Sequence, residues 1–221
     1  MQQNNCTAES PDSEKNQVFL KTKAKIFKDN RRLASLFYSG RLFVAFDTET
    51  TGLSPRNDYL IEVGAVKFDC WDQGFQYFSS LIKPPIPISS RITEITGIDD
   101  AMLAGEKTTS SVLPEFLKFI GGSQTVLLGH NLPFDFYFVN NELSRLGIAP
   151  LNNICIDTLP LSRWAYPAFN KKAEGGYKLQ SLAKSFNIEV KAAHRAWDDA
   201  RVCMEVFKKI LNELKNINIK N

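Results

Sequence analysis

The stretch Leu42-Phe43-Val44-Ala45-Phe46-Asp47-Thr48-Glu49-Thr50-Thr51-Gly52 decides how this chain folds. An apolar run that ends abruptly in two acids reads as a central strand buried on both faces. On an extended backbone alternate side chains share a side, so Asp47 and Glu49 point the same way. Two carboxylates fixed at the end of such a strand repel each other unless a cation sits between them, and hard divalent ions take carboxylate oxygens. Thr50-Thr51-Gly52 is a small, flexible exit that lets a phosphate or sugar come close to backbone N–H groups.

Moving outward, His130-Asn131-Leu132-Pro133-Phe134-Asp135 follows the apolar run Val126-Leu127-Leu128. Asn131 suits a helix cap, Pro133 its first turn and Gly147 its end. Asp135 then falls in the first turn, where the helix dipole favours an ionised carboxylate. An isolated Asp there would merely complement the dipole. This one stands among Leu132, Phe134, Phe136, Tyr137, Phe138 and Val139, which is poor company for a surface residue.

The chain has only two histidines. The second opens His194-Arg195-Ala196-Trp197-Asp198-Asp199, ahead of a stripe of Val202, Val206, Phe207, Ile210, Leu211 and Leu214 that predicts a long C-terminal helix. His194 stands at its start and Asp199 about a turn inside. A histidine beside a metal-bound water can act as general base, because an imidazole titrates near working pH. Asp199 would add another metal acid. Alone, the same residues fit a helix-cap His194 and a solvated Asp198–Asp199 pair equally well.

Together the three segments match, in order and spacing, the motifs of the DEDDh family, the DnaQ-like 3′→5′ exonucleases. The resemblance is carried by Phe46-Asp47-Thr48-Glu49-Thr50-Thr51-Gly52-Leu53, by His130-Asn131 with Phe134-Asp135, and by His194-Arg195-Ala196 with Asp198-Asp199-Ala200. Ile61-Glu62-Val63-Gly64-Ala65-Val66, Ile95-Thr96-Gly97-Ile98 and Ile156-Asp157-Thr158-Leu159 fit as well. Within the family the chain looks most like the proofreading epsilon subunits of bacterial DNA polymerase III and the exonuclease domain of PolC. The resemblance implies a ribonuclease-H-like fold and metal-dependent hydrolysis with two Mg²⁺ or Mn²⁺ ions. It implies Asp47 as the bridging ligand, Glu49 and Asp199 beside it, Asp135 at the second ion and His194 as the base. Thr48, Thr50, His130, Asn131 and Phe134 are expected around the terminal nucleotide. Some relatives carry a histidine where Thr96 stands, which leaves contacts at Arg91, Glu94 and Thr96 open. The expected substrate is a DNA 3′ end, with RNA as the alternative, and the expected partner a replicative DNA polymerase subunit. A module that has lost catalysis would lack one of the acids or the histidine, and none is missing here.

Composition fits that picture. The chain has 221 residues, 43% hydrophobic and 23% charged, enough for one globular domain plus some extra sequence. No apolar run approaches the roughly 20 residues that a membrane helix needs, and the N-terminus lacks a secretory signal. Cys6, Cys70, Cys155 and Cys203 are scattered and read as reduced, mostly buried thiols, so a cytoplasmic location is expected. The net charge of +3 leaves a basic surface once the four acids are committed to metal.

Periodicity predicts a disordered tail over 1–16, a basic amphipathic helical extension over 17–40, the catalytic domain over 41–214 and a polar tail over 215–221. Strands are expected at 42–47, 59–68, 75–82, 125–129 and 154–156. Helices are expected at 89–95, 99–104, 111–120, 132–146, 158–164, 178–186 and about 196–214. Asp157 reads as the N-cap of the 158–164 helix. The result is an α/β domain with a mixed five-stranded sheet flanked by helices on both faces. The Tyr166–Tyr177 segment, with Lys171, Lys172 and Gly175-Gly176, reads either as a connector or as a guide for the substrate backbone.

Overall fold

The structure, a computed structural model, describes residues 23–71, 74–169 and 175–218. In chain order the elements are β1 (Lys25–Ile26), a 3-10 turn (Asn30–Arg32), α1 (Leu33–Phe37), β2 (Phe43–Thr50), β3 (Leu60–Phe68), β4 (Gln76–Leu81), α2 (Ser90–Thr96), α3 (Asp100–Leu103), α4 (Thr109–Ile120), β5 (Val126–Gly129), α5 (Pro133–Arg145), β6 (Ile154–Asp157), α6 (Thr158–Ala165), α7 (Leu179–Ser185) and α8 (Ala196–Asn218). They build one mixed sheet in the order β1-β6-β5-β2-β3-β4. β1, β6, β5 and β2 run parallel, and β2, β3 and β4 form an antiparallel meander.

The central strand β2 divides the core. Phe43 and Ala45 point to one face, where they meet Phe37, Leu182 and the α8 residues Val206, Phe207 and Ile210. Val44 and Phe46 point to the other, against Phe116 of α4 and Phe136 and Val139 of α5. All of these β2 residues are at most 1% exposed, as a strand covered on both faces requires. No helix among the described residues is long and apolar enough to cross a membrane. Cys155 and Cys203 are buried and Cys70 is partly so.

The mixed sheet with helices on both faces is as the sequence predicts, but it has a sixth strand. β1 pairs with β6, Lys25 opposite Ile154 and Ile26 opposite Cys155. It comes from the 17–40 segment that the charge pattern assigns to a helix. The reason is local: Lys23-Ala24-Lys25-Ile26 alternates exposed and half-buried positions, and that is the period of a strand. Among the described residues of the segment, α-helix is confined to α1, where Leu33 and Phe37, one turn apart, enter the core. Residues 1–22 lie outside the described residues. At the other end α8 continues to Asn218, into the stretch expected as a polar tail.

One glycine sets how α8 meets the sheet. Gly64 pairs with Asp47 across β2 and β3. A Cβ on Gly64 would lie 2.0 Å from the Trp197 nitrogen and 2.2 Å from the Ala196 carbonyl carbon. The first turn of α8 therefore rests on bare β3 backbone. Gly64→Val should destabilise the fold by at least about 2 kcal/mol, since backbone on both sides has no rotamer with which to yield. Urea unfolding measures this, and a loss below about 0.5 kcal/mol would show that the α8 seat is adjustable.

Candidate active site

The end of β2 places the acids by simple alternation. Asp47 and Glu49 are half-buried, and Thr48 and Thr50 are buried. The bare seat at Gly64, opposite Asp47, brings the first turn of α8 and its Asp199 over the strand end. Asp135 comes from the first turn of α5, with Pro133 at the helix start. It is 3% exposed, and its Oδ1 accepts hydrogen bonds from the Thr48 N–H at 2.9 Å and the Thr48 hydroxyl at 2.7 Å. Asp199 Oδ1 accepts from the Gln180 amide at 2.7 Å. His194 is exposed, with φ of 61°. A ring nitrogen of His194 and carboxylate oxygens of Glu49 and Asp199 all lie within 4.8 Å of one another.

Burial raises the proton affinity of every acid in this group, and for Asp47 and Glu49 the neighbouring acids add to it. Asp47 is pushed well above the usual carboxylate range by burial, then by Asp135, Asp199, Glu49 and Glu62. Glu49 is raised to about 8 by burial and by Asp199, Glu62 and Asp135, with Arg195 opposing. Burial lifts Asp135 to about 7 against the two Thr48 hydrogen bonds. It also lifts Asp199, against the Gln180 amide and His194. Arg195 offsets only part of this, because it is paired with Glu62, with nitrogens 3.0 and 3.2 Å from that carboxylate. Neighbouring carboxylates of raised proton affinity are the donor chemistry that a hard divalent ion takes, and an ion held by them would displace their protons.

The structure assigns definite partners to residues expected around a nucleotide. The N–H and hydroxyl of Thr48 both go to Asp135, and the Thr50 hydroxyl donates to the Gly52 carbonyl at 2.6 Å. His130 is a strut: its Nε2 lies 2.8 Å from the Tyr177 carbonyl and its Nδ1 2.9 Å from the Thr158 hydroxyl. Burial pulls its pKa below the usual imidazole value. Asn131 takes a left-handed φ of 64° and donates its N–H to Asp157. Asp157 also caps α6 through the Leu159 N–H, which is the structural role its position predicts. His130 and Asn131 line a cleft of about 900 Å³ with Arg163, Tyr177 and Lys178. Phe134 packs on Phe138, ring centroids 4.9 Å apart. The Thr96 hydroxyl is spent inside α2, donating to the Ile92 carbonyl and accepting from the Ile98 N–H. Lys171 and Lys172 lie outside the described residues.

Three residues take roles that the sequence reading does not assign to them. Glu62, fully buried, faces Glu49 across the β2–β3 ladder and accepts the Ala196 N–H as well as Arg195. Its sequence signal was an acid inside the apolar run of β3. Gln180 carried no signal. Asp198 is fully buried and paired with Arg201, where the sequence also allowed a solvated pair.

Comparison with known proteins gives concordant matches. A family model described as Exonuclease matches residues 44–207. The chain is 43% identical over 166 residues to the DNA polymerase III subunit epsilon of Treponema pallidum, covering 75% of the chain and 74% of that protein. It is 42% identical over 179 residues to the PolC-type DNA polymerase III of Caldanaerobacter subterraneus, covering 81% of the chain but 12% of that polymerase. Among solved structures, E. coli Exonuclease I in complex with a dT13 oligonucleotide matches with a TM-score of 0.70 at 20% identity, over 81% of this chain and 43% of that one. Exonuclease X in complex with 5′ overhanging duplex DNA matches with a TM-score of 0.59 at 24% identity, over 77% and 91%. These last two likenesses are of fold, and they agree with the ribonuclease-H-like architecture.

The charge crowding has a measurable sign. Folded Glu49 keeps its proton up to about pH 8, and a free glutamate releases it near 4.5. The stability due to that proton is complete below the lower value and is lost as pH rises through the upper one. In chelator, Glu49→Gln should therefore be more stable than the parent at about pH 8.5, and the difference should vanish near pH 4. With excess Mg²⁺ at the higher pH the order should reverse. Thermal melts under the three conditions check this, and a parent that loses nothing relative to the variant on raising the pH would mean the acids are not crowded.

Proposed function

The chain belongs to the exonuclease family whose model spans residues 44–207, and on that premise we propose that it is a metal-dependent 3′→5′ exonuclease. It releases nucleoside 5′-monophosphates from DNA 3′ ends, in proofreading or repair. The observation that carries this reading is the cluster of Glu49, Asp199 and exposed His194, whose ligand atoms lie within 4.8 Å of one another, with Asp47 and Asp135 near enough for their charges to act on the same group. Two divalent ions, Mg²⁺ or Mn²⁺, held by these four acids would acidify the attacking water and offset charge on the scissile phosphate and leaving oxygen.

The chain's own residues supply the remaining functions. His194 accepts the proton of the attacking water at a ring nitrogen. Thr48 holds one oxygen of Asp135 through two hydrogen bonds, and Gln180 holds one oxygen of Asp199. Arg163 and Lys178, exposed beside the His130–Asn131 cleft, suit the phosphates of an incoming strand. DNA as substrate is supported by the kinship with polymerase III proteins, and the same kinship supports docking to a replicative polymerase.

Asp47→Ala should reduce nuclease turnover at least about 100-fold, since both ions are assigned to Asp47, and should raise metal-free stability by relieving repulsion. His194→Ala should lower turnover about 10²–10⁴-fold and leave Mn²⁺ affinity nearly unchanged. Both are read from degradation of matched 3′-labelled DNA and RNA oligomers, single- and double-stranded, with calorimetric Mn²⁺ titration alongside. Faster degradation of RNA would move the substrate assignment. Collapse of metal affinity in His194→Ala would make His194 a ligand.

A further inference from the structure

His194 stands on a short turn before α8, and the structure shows what holds that turn. Asp198 is fully buried in the first turn of the helix. Its Oδ2 accepts the backbone N–H groups of Lys191 and Ala192, each at 2.7 Å. Its Oδ1 takes Arg201 through Nε at 2.8 Å and a terminal nitrogen at 2.7 Å. The same guanidinium reaches back to the Glu189 carbonyl. Backbone groups of Glu189, Lys191 and Ala192 are thus fastened to two side chains of α8.

A second anchor lies just downstream. Glu62, from β3, binds the Arg195 side chain and the Ala196 N–H. Between the two anchors only Ala193 and His194 remain, and His194 bends through a left-handed φ of 61°. A non-glycine residue adopts that region at a cost and keeps it where its surroundings over-determine it. The bend lets an exposed imidazole approach Glu49 and Asp199.

A buried carboxylate–guanidinium pair is a poor device for stability alone, because desolvation cancels most of its attraction. Its particular effect here is geometric. We propose that Asp198, clamped by Arg201, is a positioning residue for the general base, fixing the turn that delivers His194 to the acids. Adjacent acids then divide the work, Asp199 at the reacting centre and Asp198 at the backbone behind the base. This inference rests on the exonuclease reading for its catalytic consequence and on the hydrogen bonds alone for its structural one.

The test is Asp198→Asn, made alone and combined with His194→Ala. An amide cannot both accept the two N–H groups and pair with Arg201. Turnover on a 3′-labelled oligonucleotide should fall about ten-fold or more, by misplacement of the base. KM and Mn²⁺ affinity should stay within about two-fold of the parent, and in the His194→Ala background the substitution should cost less than about two-fold. Amide hydrogen exchange at Lys191–His194 should quicken in the metal-free protein, a readout that needs no activity. Arg201→Lys, which keeps the cation but loses the fork, should reproduce the pattern more weakly and serves if Asp198→Asn does not fold. A turnover loss that persists in full without His194 would overturn the proposal, as would unchanged turnover or unchanged exchange. A parent that degrades no oligonucleotide would instead overturn the exonuclease reading, and exchange would still decide the role of Asp198 in the turn.

Discussion

The first turn of α8 lies directly on the β3 backbone at Gly64, and the rest of the site depends on that contact. No side chain separates helix from sheet there. The helix start therefore comes over the end of β2, where Asp47 pairs with Gly64. Asp199 and His194 travel with it. The close approach also buries Glu62, which Arg195 and the Ala196 N–H satisfy. Of the acids at the end of β2, Glu49 is offset only in part by Arg195, and Asp47 meets the charges of other carboxylates. Their raised proton affinities are the electrostatic expression of a packing decision made one strand away.

Strand alternation does two jobs in β2. Phe43 and Ala45 join the core under α8, and Val44 and Phe46 join the core under α4 and α5. Continued past the apolar run, the same period sends Asp47 and Glu49 to the α8 side and Thr48 to the α5 side. Thr48 then meets Asp135, which arrives on α5, and ties it with two hydrogen bonds. Acids from three separate elements are brought together around one strand whose apolar half is locked by packing on both faces.

Much of this was legible in the sequence because the signals were local. The apolar run before Asp47, Pro133 and Gly147 at the ends of α5 and the stripe behind Asp199 depend on neighbours a few residues away, although Leu132 and not Asn131 holds the cap position of α5, with no side-chain cap. Asp157 was legible as a cap for the same reason. What could not be read was partnership across the fold. Thr48 looked free to meet a nucleotide because its partner, Asp135, lies 87 positions away. His130 looked like a pocket residue, and Tyr177, which takes one of its ring nitrogens, lies 47 positions away. Asp198 failed differently. Its partner Arg201 is only three residues on, but its backbone partners at Lys191 and Ala192 belong to a turn without a side-chain signature. The 17–40 segment misled because its lysines outweighed a two-residue alternation too short to notice.

That alternation has a consequence for the margins of the sheet. β6 would otherwise present an open row of backbone donors and acceptors, and β1 covers part of it, with the Phe27 N–H donating to the Cys155 carbonyl just beyond at 2.7 Å. The exposed lysines Lys23 and Lys25 then stand at the new rim. Short strands and charged rims are how sheets discourage edge-to-edge association with other chains. A minimal catalytic unit cut at residue 41 would keep all the acids and the histidine, yet expose a bare β6 margin to any neighbouring strand. Residues 23–37 thus cover a margin of the sheet as well as completing the core.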